Sequence, residues 1–324
     1  MKVSIHDWQE VNIKDIAQLT YEALQYSPLT RRRGQTVEEI TEWLHTLEFD
    51  EEFTGSPVVV SAHEEGRLIG WLMLNTIGST AEVVPWNLPL RPIFAPSCNR
   101  KEVEPQLVKK AVMWAQKEGV DVILLRVDKF PQKSEQDQNK DIAWYESLGF
   151  NLREDTMYLD YYITGDEEDV LLPDGFELAP VKGVDRDDLY QCYYDTFNAG
   201  QSPFFFDQTE KERREYFNIL FESECADEDI SLAILRGEKV VGFSFAKPAG
   251  TEGNVLLEWI GIHPDYRRRG RGEFLLRYIM KRVAQRGYAT MSLSCAVGNT
   301  RAFNLYRKCG WEVEGGEIIF SLRI

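Results

Sequence analysis

Residues 256–272, read LLEWIGIHPDYRRRGRG, decide the fold of this chain. They begin as an apolar run typical of a buried strand, and Pro264 ends that run. Arginines and glycines follow in the spacing Arg267-x-x-Gly270-x-Gly272. The next segment places apolar side chains at helical spacing, and a glycine follows it as a helix terminator. The sequence therefore predicts a strand, a glycine-bearing loop and a helix.

This order suits a phosphate ligand. A helix N-terminus presents backbone N–H groups together with the positive end of the helix dipole. Gly270 and Gly272 would let the main chain approach a phosphate without an intervening Cβ, and the arginines would add charge-assisted hydrogen bonds. The spacing differs from both the dinucleotide fingerprint and the P-loop pattern. We therefore expect a phosphate loop of another kind, with a solvated charge run as the alternative for Arg267–Arg269.

A second pattern follows the predicted helix. Residues 290–297 alternate apolar and polar side chains, which predicts a strand. Residues 299–311, NTRAFNLYRKCGW, then place an Asn before a short helix, a Tyr on that helix, and a Gly and an aromatic residue at its end. The two patterns, in this order and spacing, resemble the acetyl-CoA-binding signatures of the GNAT acetyltransferase superfamily.

The resemblance implies an acyl-transfer site in the C-terminal half, with acetyl-CoA or another acyl-CoA as acyl donor and no metal. Tyr306 would protonate the departing thiolate, a task that suits a phenol with a reference pKa of about 10. Glu258 would be the general base. The implied cofactor contacts are Ile260, Gly261, Ile262, Arg267, Arg268, Arg269, Gly270, Arg271, Gly272, Asn299 and Phe303.

Each of these catalytic assignments has a structural alternative. Tyr306 alone, on an amphipathic helix, could be a packing residue. Glu258 shares a strand face with Ile260 and Ile262 by the period of two, yet a carboxylate facing water is an equal interpretation. For His263, at the end of the strand, we favour a loop-capping role over catalysis.

Composition and charge bound the possible functions. The chain has 324 residues, of which 43% are hydrophobic and 12% aromatic, enough for buried cores in two domains. Its net charge of −16 argues against a nucleic-acid partner and favours a cationic acceptor such as an amine. The five cysteines are scattered, which argues against a disulfide framework and a zinc site. Without an apolar run of membrane-spanning length or a signal peptide, we expect a cytoplasmic protein with no membrane partner.

The same scheme of helices and strands occurs twice along the chain. Residues 144–150, WYESLGF, match residues 305–311, LYRKCGW, and an acidic connection separates the halves near residues 164–175. We predict an α/β fold of two tandem GNAT-like domains, each a mostly antiparallel mixed sheet flanked by helices. The expected domains are 1–165 and 173–324.

The two copies differ in chemistry. Where the first copy should carry the glycine loop it has prolines at positions 85, 89, 92 and 96, and prolines lack the N–H donors that a phosphate needs. We expect a degenerate copy that serves as scaffold or substrate wall. In it Tyr145, which aligns with Tyr306, would be a packing residue.

The expected function is direct transfer of an acetyl group, in a ternary complex, to a primary amine of a small molecule, peptide or protein. Two alternatives are a non-catalytic acyl-CoA-binding or regulatory module, and a nucleotide-binding protein of another class that uses the loop for a different phosphate ligand. The resemblance places the acceptor beside residues 198–206, a loop-like stretch. Its run Phe204–Phe206 could wall a pocket or fill a domain interface.

Overall fold

The chain divides into two compact units. The first consists of Met1–Glu154 together with Glu317–Ile324, and the second of Asp155–Gly316. The domain ranges predicted from the repeat, 1–165 and 173–324, instead assign Glu317–Ile324 to the second domain. The computed structural model describes residues 1–25, 36–45, 57–77, 80–84, 92–129, 135–167, 169–200, 203–206, 208–222, 227–249 and 253–324.

The first unit is a mixed sheet with helices. Its strands pair in the order β1-β2-β3-β4-β6, with β5 on β3, and β4 and β6 are parallel while the other pairs are antiparallel. The elements in chain order are β1 (Lys2–Asp7), α1 (Ile13–Leu24), α2 (Val37–His45), β2 (Val58–Glu64), β3 (Arg67–Ile77), β4 (Thr80–Val84), β5 (Ile93–Phe94), α3 (Arg100–Glu118), β6 (Val122–Lys129), α4 (Glu135–Ser147) and β7 (Asn151–Tyr162), whose later part belongs to the second unit.

The second unit follows the same plan. The elements are β8 (Glu177–Pro180), α5 (Arg186–Asn198), α6 (Pro203–Phe206), α7 (Glu210–Glu222), β9 (Leu232–Arg236), β10 (Lys239–Pro248), β11 (Asn254–Ile262), α8 (Arg271–Gln285), β12 (Thr290–Ala296), α9 (Thr300–Lys308) and β13 (Glu312–Arg323), whose end belongs to the first unit. The strands pair in the order β7-β12-β11-β10-β9-β8. Again one pair, β11 with β12, is parallel, and the others are antiparallel.

Two cores cover the sheet of the second unit. Neighbouring residues of a strand point to opposite faces. Val241 of β10 accordingly packs with the aliphatic core under α8, while Val240 joins an aromatic core under α5 and α7. The sheet is therefore a central layer that fixes where the ends of α5 and α8 lie.

The structure confirms the predicted fold class and several local signals. Gly119 and Gly287 follow α3 and α8 with φ of 72° and 77°, the left-handed conformation that ends helices. The loop predicted around Phe205 is wrong, because residues 203–206 form α6. The side chain of Phe204 lies outside the described part of the chain, as do Pro85 and Pro89. None of the described helices combines the length and the apolar character needed to cross a membrane.

Candidate active site

The parallel strands β11 and β12 separate partway along their length. Their pairing covers Asn254 to Leu256 on β11, opposite Thr290 to Ser292 on β12. Beyond Leu256, β11 continues to Ile262 in register with β10, whereas β12 continues in register with β7. The two strands therefore open a gap in the hydrogen-bonded sheet, on the side that leads to α8.

A β-bulge marks the start of this gap. Phe245 of β10 lies opposite Trp259, and the next residue, Ala246, lies opposite Leu257, so Glu258 is the extra residue on β11. A bulge interrupts the alternation of side chains along a strand. The argument that Glu258 shares a face with Ile260 by the period of two therefore loses its basis.

The backbone of β11 presents polar groups on the side of the gap. His263 donates its N–H to the Val241 carbonyl on β10, at 2.9 Å. Backbone groups alternate in direction along a strand, so the N–H groups of Ile260 and Ile262 point away from β10 and towards β12. An extended, amide-bearing chain in the gap could pair with them as an added strand does.

The loop after β11 leads to a helix N-terminus that accepts an anion readily. Gly270 is the N-cap of α8, with φ of 75° and no side-chain capping bond among the described residues. By contrast, Asp185 and Asn299 cap α5 and α9 with their side chains. The first N–H groups of a helix have no partner within it. At α8 they are therefore available to an external anion.

Two of the loop arginines hold the loop itself. Arg267 donates from Nε to the Ile262 carbonyl and from Nη2 to the Thr196 carbonyl, each at 2.8 Å. Arg271 is buried and donates from Nη1 to the Tyr266 carbonyl at 3.0 Å. Burial lowers the pKa of both guanidinium groups, and neighbouring arginines add to that effect. Their side chains therefore fix the loop rather than extend from it.

The other two arginines are exposed. Arg268 and Arg269 lie at the surface just before Gly270. Arg268 has φ of 62°, a left-handed conformation that costs a residue with a Cβ about 1–2 kcal/mol. The four arginines, indistinguishable in the sequence, thus divide into an inward pair and an outward pair.

Glycines allow close approach on two sides of the loop. A Cβ at Gly261 would lie 2.5 Å from Cγ2 of Thr196 and 3.0 Å from Cζ of Phe243, so α5 packs directly on the β11 backbone. A Cβ at Gly272 would lie 3.5 Å from Cδ2 of Leu305, which is ordinary contact. Gly272 therefore faces α9, on the side of the predicted catalytic tyrosine.

Tyr306 lies on α9, next to the parallel strand β12. It is 7% exposed, its ring is 5.9 Å from that of Trp311, and its hydroxyl has no hydrogen-bond partner among the described residues. Burial raises the pKa of Tyr306 above its ordinary value, and the neighbouring thiol of Cys295 raises it further. The hydroxyl therefore stays protonated well above neutral pH.

The other residues assigned to α9 have local roles in the fold. Asn299 accepts a hydrogen bond from the Ala302 N–H at 3.3 Å, so its side-chain carbonyl caps the helix. Its amide N–H₂ group lies at an exposed position. Phe303 is half-buried and packs against the aliphatic core. Capping by Asn299 sets where α9 begins, and so where Tyr306 lies.

Glu258 forms an ion pair. Its carboxylate is 3.1 Å from Nζ of Lys247 on β10, and its side chain is 25% exposed. The residue is neither a fully solvated edge carboxylate nor an isolated buried base. A cation can therefore bind at this position, in the place that Lys247 takes here.

Besides the bond from Arg267 to Thr196, a second contact joins α5 to the loop, and the sequence did not indicate it. His263 accepts the Asp265 N–H on Nδ1 at 3.3 Å, which caps the turn after β11 as predicted. Its Nε2 is 3.3 Å from Oδ2 of Asp195. Asp195 and Thr196, in the last turn of α5, thus contact His263 and Arg267 respectively. In the sequence, Asp195 has the pattern of an ordinary polar residue on an amphipathic helix, so the sequence does not predict this contact.

Aromatic side chains surround this end of α5. Trp259, which follows Glu258 at the bulge, has its ring 4.3 Å from that of Phe197 and 6.0 Å from that of Tyr216, and all three are half-buried. Behind them Tyr193 is fully buried, with a hydroxyl that has no partner among the described residues. The bulge thus carries a carboxylate, Glu258, and is followed directly by a residue of this aromatic cluster. The described residues contain no cluster of three or more His, Cys, Asp or Glu side chains placed to hold a metal ion.

The chain is similar to known proteins over part of its length. Residues 187–311 match the acetyltransferase (GNAT) family model. Over 91 residues the chain is 26% identical to the [ribosomal protein bS18]-alanine N-acetyltransferase of Escherichia coli (strain K12), a region that covers 28% of this chain and 60% of that enzyme. The two proteins are thus alike over part of each.

Solved structures resemble the whole chain. A GCN5-related N-acetyltransferase from Sphaerobacter thermophilus covers 99% of this chain and 95% of its own, with a TM-score of 0.68 and 16% identity. A tandem GNAT protein from the clavulanic acid biosynthesis pathway covers 99% and 98%, with a TM-score of 0.59 and 14% identity. At these identities the likeness shows the fold. The family match covers residues 187–311 of the second unit, and the whole chain has the fold of GNAT proteins, one of them a tandem protein.

Proposed function

We propose that the second unit transfers an acetyl group from acetyl-CoA directly to a primary amine, in a ternary complex. The observation that carries the proposal is the separation of β11 from β12 beside the N-terminus of α8. One feature suits an extended amide-bearing chain and the other a phosphate, and acetyl-CoA contains both groups in sequence. A mononucleotide would use the phosphate site but has no amide-bearing chain for the gap between the strands.

Different groups of the second unit bind different parts of acetyl-CoA. The N–H groups of Ile260 and Ile262 pair with the pantetheine amides, and the first N–H groups of α8 bind the pyrophosphate. Arg268 and Arg269 extend from the surface and add charge-assisted contacts. Arg267 and Arg271 act indirectly, because they fix the carbonyls around which the loop turns.

Tyr306 is the general acid in this proposal. Its hydroxyl donates a proton to the thiolate sulfur as the bond between that sulfur and the acetyl carbon breaks. The raised pKa of Tyr306 keeps its hydroxyl protonated at neutral pH, so a proton is present beside the sulfur when the thiolate forms. The absence of a competing partner among the described residues leaves the hydroxyl to the substrate.

Glu258 receives the proton of the amine. An alkylammonium is inert as a nucleophile until it is deprotonated, and an incoming cation can replace Lys247 as the ionic partner of Glu258. Trp259 follows Glu258 directly on β11 and packs with the half-buried rings of Phe197 and Tyr216, and aromatic faces favour a cation over an anion. The net charge of −16 acts in the same direction at long range.

The test measures thiol release from acetyl-CoA by the purified full chain. A panel of polyamines, amino sugars and peptides with free N-termini serves as acceptors, and mass spectrometry identifies the acetylated product. We expect at least one class to give turnover, with a Tyr306→Phe variant that binds acetyl-CoA normally but turns over far more slowly.

Binding and thermal-stability measurements on the same protein separate the alternatives. Tight binding of acetyl-CoA without turnover on any amine would favour a non-catalytic acyl-CoA-binding module. Thermal stabilisation by ATP or NAD but not by acetyl-CoA would favour a different phosphate ligand, since a ligand at about 100 times its Kd stabilises by about 2.7 kcal/mol.

A further inference from the structure

The helices α3 and α8 occupy the same place in the two units, and their buried residues align without a gap. The aligned positions are Leu107 with Leu275, Ala111 with Ile279, Ala115 with Val283, and the terminating Gly119 with Gly287. In this alignment Glu104 of the first unit stands opposite Gly272 of the second. A buried carboxylate thus replaces the second glycine of the proposed phosphate loop.

Glu104 is fully buried, and both of its carboxylate oxygens accept hydrogen bonds from side chains. Its Oε2 accepts from Nε of Arg100 at 2.8 Å and from Nε1 of Trp144 at 2.7 Å. Its Oε1 accepts from Nη2 of Arg100 at 3.2 Å and from the Tyr145 hydroxyl at 2.8 Å. The relative exposure of Glu104 is 0%. The carboxylate is therefore an internal anion whose acceptor positions are already taken.

Tyr145 is the counterpart of Tyr306 in structure as well as in sequence. The Phe150 N–H binds the Tyr145 carbonyl at 3.1 Å, and the Trp311 N–H binds the Tyr306 carbonyl at 3.1 Å. The hydroxyl groups differ, because that of Tyr145 also accepts from Nη2 of Arg100 at 2.6 Å. The residue aligned with the proposed acid is thus fixed in a structural network.

The direction of the Glu104 side chain explains the contact with Tyr145. In the second unit a Cβ on Gly272 would point at Leu305 of α9, 3.5 Å away, and at Cγ1 of Ile262, 3.7 Å away. A longer side chain there would cross the space between the end of β11 and α9. In the first unit Glu104 makes the equivalent crossing and ends on Tyr145.

We propose that Glu104 seals the first unit against an acyl-CoA, so that the chain binds one donor molecule and not two. The Glu104 side chain, held by Arg100 and Tyr145, fills the path of the pantetheine arm. The stoichiometry rests on the function proposed for the second unit, whereas the sealing rests on the first unit alone.

Isothermal titration of the full chain with acetyl-CoA tests the proposal. We expect one site per chain. Two sites would overturn the sealing of the first unit. No binding would overturn the function proposed for the second unit and agree with the sealing of the first.

A pair of variants locates the site. Gly272→Glu copies the first unit into the second, and we expect at least a 100-fold loss of affinity, with Gly272→Gln as the uncharged control of equal size. Because a Cβ at this position meets ordinary contacts, both variants should fold. Residual binding at the original affinity in Gly272→Glu would place a donor in the first unit and overturn the proposal.

Glu104→Gln supplies the opposite control. It removes the charge that pairs with Arg100 in a buried network, so the melting temperature should fall by roughly 5 °C or more. The affinity for acetyl-CoA and the single site should be unchanged. A second site in this variant would overturn sealing by the volume of the side chain, and a changed affinity at the original site would contradict the independence of the two units.

Discussion

Replacing Arg267 by Met distinguishes a residue that holds the loop from one that binds phosphate. Met keeps most of the aliphatic stem and removes the guanidinium group. The structure assigns that group two hydrogen bonds of 2.8 Å, to the carbonyls of Ile262 and Thr196. The substitution therefore leaves two carbonyls without their partner, at the junction of α5 with the loop.

The size of the effect follows from those bonds. A hydrogen bond from a charged donor contributes about 1.5–3 kcal/mol, and the part-exposed position lets water recover some of it, so about 2–4 kcal/mol of unfolding free energy is at stake. For a unit of this size the melting temperature should then fall by roughly 5–15 °C. Circular dichroism of the ligand-free chain measures this change directly.

The matched control is Arg269→Met. Arg269 is exposed beside the same loop, so its removal should leave the melting temperature within about 2 °C and weaken acetyl-CoA binding. The opposite pattern would refute the reasoning. If Arg267→Met melts like the unmodified chain and loses its donor affinity instead, Arg267 binds phosphate and does not hold the loop.

Four further outcomes follow from the geometry. Tyr306→Phe should lower kcat by about 100- to 10,000-fold while the melting temperature holds, because the ring keeps its packing on Trp311. Gly261→Ala should cost about 1–3 kcal/mol of stability, seen in urea unfolding, since its Cβ would lie 2.5 Å from Thr196. Because the pKa of Tyr306 is raised in the folded state, its contribution to stability is complete below pH 10.0 and is lost as the pH rises above that value. Unfolding curves at increasing alkaline pH should therefore fall less steeply for Tyr306→Phe than for the unmodified chain. Glu258→Gln should slow turnover with the amine and leave acetyl-CoA affinity unchanged, and equal turnover would exclude Glu258 as the base.

Features that depend on local backbone chemistry were predictable from the sequence. The glycines that end helices, the histidine that caps the turn at His263, and the asparagine that opens α9 at Asn299 act on residues a few positions away. Their residue types therefore indicate their conformations directly. The order of strand, loop and helix followed from the same signals, and the repeat then extended the fold class to the first half.

Features that depend on distant partners were not predictable. Whether Arg267 faces a ligand or the protein depends on the Thr196 carbonyl, which another helix brings to it. The bulge at Glu258 arises from the register between β10 and β11, and no residue type marks it. Phe205 was placed in a loop because a short segment after Pro203 gives no helical period, yet the aromatic core holds it in α6.

The two units differ near the N-termini of the aligned helices α3 and α8. The start of a helix carries a partial positive charge, and burying it without an anion costs free energy. In the first unit the aligned position holds Glu104, whose carboxylate is paired with the side chain of Arg100, the first residue of α3. The second unit has Gly272 at that position and exposes two arginines instead. The free N–H groups at the start of α8 can then bind a phosphate from solution, whereas at the aligned position of α3 a buried carboxylate is already paired within the protein.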